Sequence, residues 1–106
     1  MKFDKVIHEP ARLRIMMILS GVDKADFNFI VSTLAMTRGN LSSHMDRLEQ
    51  EKYVEITKSY EGKIHHTSYR LTKIGKKALA KYWKTLDEIK KLSNQIPQDG
   101  PSGPRD

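Results

Sequence analysis

The apolar residues of this chain change period near residue 52 and change back near residue 72, and few folds accommodate that pattern. Leu41, Met45 and Leu48 recur at the three- and four-residue spacing of a helix. Val54 and Ile56 then alternate with Glu55 and Thr57, and Tyr69 and Leu71 alternate around Arg70, as strands with one buried face do. Glu61-Gly62-Lys63 supplies turn residues between the two runs, which are therefore predicted to form an antiparallel hairpin. Leu79, Tyr82, Leu86 and Ile89 restore helical spacing over 73–96, with Thr72 as the cap and Gly75 lowering helix propensity in the first turns. At 106 residues the chain amounts to one ordinary domain, so helices and hairpin must share a single core. The expected domain spans 1–96; residues 97–106, PQDGPSGPRD, hold three of the four prolines and no apolar anchor, and are expected to be a disordered tail.

Three shorter helices precede the hairpin. The first starts at about Asp4 or Pro10, since proline suits the first turn, and ends at Gly21. Ala11, Ile15, Ile18 and Leu19 mark one face, while Leu13, Met16 and Met17 make the neighbouring face apolar too. Such a helix calls for cover on two sides, either from the last helix of the same chain or from a second subunit. Asp26 is the expected cap of a second helix ending near Met36, and Thr37 of a third running to about Glu51. Two helices joined by so tight a turn, the second with a narrow apolar stripe and a broad polar face, outline a helix-turn-helix.

Composition narrows the chemistry. No cysteine is present, so disulfides, thiolate zinc sites and cysteine nucleophiles are excluded. No apolar run reaches the roughly 18 residues of a membrane span, and the first ten residues lack a signal-peptide core, so a soluble, cytoplasmic protein without membrane partners is expected. The net charge of +6 favours a polyanion, nucleic acid before an anionic membrane surface. That excess sits mostly in 72–96, where Lys73, Lys76, Lys77, Lys81, Lys84, Lys90 and Lys91 face only Asp87 and Glu88; segment 37–53 is neutral. No Ser-His-Asp order with a nucleophile elbow and no glycine-rich phosphate loop occurs, so no enzyme, cofactor or metal site is expected.

Three stretches, HEPARLRIMMIL, TRGNLSSHMDRLEQEKYVEI and SYRLTKIGKKAL, carry a family resemblance. The Asn40-Leu41-Ser42-Ser43-His44-Met45 run, the step from Leu48 to Tyr53-Val54, and the step from Leu71-Thr72 to Gly75 resemble the small winged-helix transcriptional regulators related to the MarR and ArsR families. The resemblance implies a winged helix-turn-helix: mainly α, a small β-hairpin wing, and a long C-terminal dimerisation helix. It departs from the ArsR pattern in lacking thiolate ligands.

Under that resemblance the 37–51 helix enters the major groove of double-stranded DNA. Arg38, Asn40 and Arg47 are the candidates for reading bases, because Arg bonds guanine O6/N7 and Asn adenine N6/N7. Thr37, Ser42 and Ser43 suit phosphate contacts. The bland alternative makes Thr37 only a cap and pairs Arg47 with Asp46 or Glu51. His44 is either a buried, hydrogen-bonded imidazole or a DNA contact. Wing candidates over 57–67 and its flank are Lys58, Lys63, His65, His66 and Arg70; the two histidines, adjacent on a strand, face opposite ways and suit no shared metal. Lys73, Lys76 and Lys77 lie where the helix dipole disfavours cations, and phosphate beside the wing is a candidate partner.

A homodimeric repressor on a roughly palindromic operator is the leading expectation, with Leu13, Met16, Met17, Leu79, Tyr82, Trp83, Leu86 and Ile89 at the subunit interface. The alternatives are a winged-helix protein-interaction module, or a sensor holding a small-molecule effector near Trp83, Tyr82 and the methionines of the first helix.

Overall fold

The structure, a computed structural model, describes residues 2–97. The expected tail thus lies outside the described residues except for Pro97. The elements are α1 (Pro10–Ser20), β1 (Ala25–Asp26), α2 (Phe27–Leu34), α3 (Arg38–Gln50), β2 (Val54–Glu61), β3 (Ile64–Leu71) and α4 (Lys73–Asn94). Strand order is β1-β3-β2, antiparallel throughout. The architecture is the expected one of four helices and a hairpin wing, with one strand added.

Local chemistry sets the boundaries. Pro10 opens α1, and the Glu9 carboxylate caps it by accepting from the N–H groups of Ala11 and Arg12. Asp4 does not start that helix; its Oδ1 accepts from Val6 N at 2.8 Å and Ile7 N at 3.3 Å, turning the chain ahead of it. Asp26 precedes α2 but its side chain makes no capping bond, because its backbone is paired with Ser68 in β1. A two-residue strand is too short to show a period, which is why it escapes a pattern search. α2 stops at Leu34 because Ala35 turns left-handed at φ 52°, and Met36 N then donates to Val31 O at 3.2 Å. Thr37 and Thr72 cap α3 and α4 as expected, accepting from Asn40 N and Gly75 N.

Ile7, Ile15, Met16, Leu19, Ile30, Leu41, Met45 and Leu48 are the largest fully buried side chains, drawn from α1, α2, α3 and the segment before α1. Val54, Tyr69 and Leu71 close the core from the sheet, and Leu79 and Tyr82 from α4. Tyr82 Oη also hydrogen-bonds His8 Nδ1 at 2.8 Å.

Three expected interface residues are thereby corrected. Met16, Leu79 and Tyr82 are buried in the chain's own core, since the first turns of α4 pack on α1 and β3. Of the two covers proposed for the first helix, the same chain's α4 supplies this one. Met17, Trp83, Leu86 and Ile89 remain exposed, and Leu13 is partly buried against the core. The spacing of the α4 stripe was legible; that its first half turns inward is set by the tertiary fold. Among the described residues no helix is long and apolar enough to cross a membrane.

Candidate nucleic-acid interface

α3 buries Leu41, Met45 and Leu48 completely, and this fixes what its other side offers. Arg38, Asn40, Ser42, Ser43 and Arg47 are exposed, as is the capping residue Thr37. All but Arg47, which lies in the last turn, form a polar surface around the N-terminal half of α3, the end a helix-turn-helix directs at base edges.

The hairpin register decides which wing residues share that surface. Glu61 pairs with Ile64 across Gly62-Lys63, with Gly62 at φ 66° in the first central position, as a two-residue hairpin turn demands. Counting back, Tyr60 pairs with His65, Lys58 with Thr67, Ile56 with Tyr69 and Val54 with Leu71. Opposed residues share a face and alternate residues keep it, so Lys58, Tyr60, His65 and Thr67 continue the core-facing side of the sheet outward past the end of the core. Arg38, Ser42 and Asp46 of α3 meet Lys58, His65 and Thr67 of the wing around one open groove of about 300 Å³.

His66, Ile64 and Arg70 lie on the opposite face. His66 Nε2 is 3.3 Å from Glu61 Oε2 without hydrogen-bonding geometry, and Arg70 Nη2 is held by Asp23 Oδ1 at 3.0 Å. Neither lines the groove itself, although His66 borders a smaller adjoining pocket with Asn28, Arg38 and His65. Lys63 occupies the exposed turn itself. His44 also meets the start of α1: its Nδ1 lies 3.2 Å from Arg12 Nη1 and 3.4 Å from Glu9 Oε2, so the imidazole ties α3 to that end of the helix. Arg47 pairs with Glu51 at 3.1 Å, one turn along α3, which is the bland alternative weighed for it. Lys73, Lys76 and Lys77 are exposed at the start of α4 with no carboxylate within ion-pair distance among the described residues.

Tyr60 is a groove-side residue that the sequence reading left without a role. It is 75% exposed and its ring packs at a 40° tilt against His65, with centroids 5.1 Å apart. Counting register outward from Gly62-Lys63 was the signal that could have found it. Asp46 adds a negative charge inside the groove; burial, and then the charges of Asp46 and Glu49, push the Tyr69 hydroxyl's pKa upward. At the far end of the molecule a cavity of about 340 Å³ lies between residues 2–4 and α4, bordered by Tyr53, Tyr82 and Thr85. It touches Tyr82, as the effector expectation asked, but neither α1 methionine lines it.

Comparison with known proteins agrees with this geometry. Residues 11–90 match the family model described as a winged helix DNA-binding domain. An uncharacterised protein of Methanocaldococcus jannaschii is 32% identical over 93 residues, covering 87% of this chain and 97% of its own length. A transcriptional regulator homologue from Pyrococcus horikoshii OT3 superposes with a TM-score of 0.78 at 28% identity, over 83% of this chain and 87% of that one. The transcriptional repressor CouR, solved on a 23-mer DNA duplex, shares the fold with a TM-score of 0.69 at 24% identity, over 90% of this chain and 68% of that one. The chain belongs to the winged-helix DNA-binding domain family and, within that fold, resembles the small transcriptional regulators related to the MarR and ArsR groups.

Proposed function

We propose that this protein is a homodimeric, sequence-specific repressor that reads a roughly palindromic operator in double-stranded DNA. α3 enters the major groove, and the inner face of the wing follows the flanking backbone. One observation carries the reading: Arg38 and Ser42 of α3 and Lys58 and His65 of the wing converge on one open, polar groove. A groove of this make-up offers bidentate donors for base edges and cations for phosphate from a single side. On α4, Trp83, Leu86, Ile89 and Leu92 leave an apolar stripe 38–48% exposed. A second copy seated there supplies the two-fold symmetry that sets two recognition helices about 34–36 Å apart on successive major grooves. The duplex-bound repressor with the same fold supports this mode of action.

Fluorescence-anisotropy titration against duplexes from the gene's own upstream region, with a random duplex as reference and a salt series for each, tests the proposal. Tighter binding to one upstream duplex at every salt concentration supports it. Equal affinity for upstream and random DNA across the series refutes sequence-specific reading.

A further inference from the structure

The arginines near the DNA-facing side differ in what holds them. Arg12 lies against the Glu9 carboxylate, Arg47 against Glu51 and Arg70 against Asp23, so each has part of its charge answered within the protein. Arg38 is different. Its Nη1 donates to Asn28 Oδ1 at 2.6 Å, and its guanidinium carbon stands 4.8 Å from the centre of the Phe27 ring. Because a guanidinium only donates, Asn28 must present its carbonyl oxygen, and that acceptor is neutral. Among the described residues no carboxylate lies within ion-pair distance of Arg38.

Arg38 is therefore fixed in direction by two residues of α2 without a carboxylate paired to it, Asp46 sharing the groove beyond ion-pair distance. It stands at the first position of α3, exposed, on the rim of the groove shared with the wing. One bond to Asn28 uses one of five N–H donors, and enough remain for a two-pronged bond to guanine O6 and N7. An arginine already immobilised loses less side-chain entropy on binding, and a misplaced acceptor cannot draw it aside.

We propose that Arg38 is the main specificity-determining side chain of α3, reading a guanine in each half-site, and that Asn28 and Phe27 are positioning residues that hold it for that contact. The inference rests on the DNA-reading function proposed above.

Selection of bound sequences from a random duplex library tests it, run with the wild-type protein, Arg38→Ala, Asn28→Ala and Asn28→Asp. Wild type is expected to enrich guanine at one position per half-site, and Arg38→Ala to erase that preference alone. Asn28→Ala should weaken the same preference roughly two- to tenfold, the size of immobilising one flexible side chain, and leave random-duplex affinity and its salt slope unchanged. Asn28→Asp places a carboxylate beside Arg38 and should weaken operator and random duplex together. Asn28 is exposed, so thermal midpoints should stay at the wild-type value and separate positioning from folding. A guanine preference that survives Arg38→Ala, or an equal loss at all positions in Asn28→Ala, overturns the inference while the regulator reading stands. A wild-type protein that enriches nothing overturns both.

Discussion

Gly75 lies directly against the carbonyl of Tyr53: a Cβ at position 75 would overlap that oxygen. The contact is one of several that dock the start of α4 where α3 passes into β2. Thr72 N donates to the same Tyr53 oxygen at 3.1 Å, and Thr72 Oγ1 donates to Lys52 O at 2.6 Å. Read from propensity alone, glycine inside a helix is a defect that alanine would repair by about 1 kcal/mol. The contact reverses the sign. Gly75→Ala should destabilise the fold by about 1–3 kcal/mol, because backbone rather than a flexible side chain must yield. Urea denaturation measures this; an unchanged or raised midpoint would show that α4 can lift off Tyr53 without cost.

The turn between α2 and α3 carries the opposite opportunity. Ala35 adopts φ 52°, a conformation that costs an L-residue about 1–2 kcal/mol and glycine almost nothing. Ala35→Gly should stabilise the protein by about 0.5–1 kcal/mol after the added freedom of the unfolded chain is deducted. Thermal unfolding should show a raised midpoint, and a lowered one would mean the Ala35 methyl makes a contact worth more than the strain.

Glu9 couples stability to pH. Burial raises its pKa, but the N–H groups of Ala11 and Arg12, with the charges of His44 and Arg12, outweigh burial and leave it below the ordinary 4.5. A depressed carboxylate contributes stability above its unfolded pKa and loses it as pH falls through the folded one. Glu9→Gln should therefore destabilise at neutral pH by about 1 kcal/mol, the scale of a helix cap, and the gap from wild type should close below pH 4.5. Denaturation at pH 7 and pH 3 makes the comparison, and a gap that is the same at both values assigns the cap no electrostatic share.

The wing register separates two lysines that sequence treats alike. Lys58 continues the core-facing side of the hairpin into the groove, whereas Lys63 sits in the turn. Lys58→Ala should weaken operator and random duplex equally and reduce the salt slope by about one, as loss of a single phosphate contact does. A salt slope unchanged in Lys58→Ala, but reduced in Lys63→Ala, would place the turn rather than the inner face against the backbone.

What the sequence made legible follows from how local each determinant is. Thr37 and Thr72 cap helices through their own next turn, and Gly62-Lys63 sets a hairpin from two residues, so these were readable in advance. The imidazole of His44 meets Arg12 from across 32 residues, and Arg70 meets Asp23 from across 47, so these partners needed the fold to be seen. Arg47 lay between these cases: its i, i+4 partner Glu51 was visible in the sequence as an alternative. Asn28 carried no signal, because nothing in α2 alone shows that Arg38 will lean back upon it.

The α4 stripe divides by burial, and the division gives two distinguishable variants. Leu79 is 4% exposed and belongs to the core, whereas Leu86, two turns on, is 38% exposed and faces outward. Leu79→Ala should cost about 2–5 kcal/mol of folding stability through lost burial and a cavity. Leu86→Asp removes little from the chain's own core, so its monomer should stay folded with near wild-type helical content. Against a second copy, however, it buries a charge in an apolar seam, and that is costly without a partner. Sedimentation equilibrium should then give twice the chain mass for wild type and the single-chain mass for Leu86→Asp, with palindromic-duplex affinity falling alongside. If Leu86→Asp keeps the wild-type mass, the outer half of α4 is not the subunit interface. The two-fold arrangement proposed for the recognition helices would then have to rest on another surface.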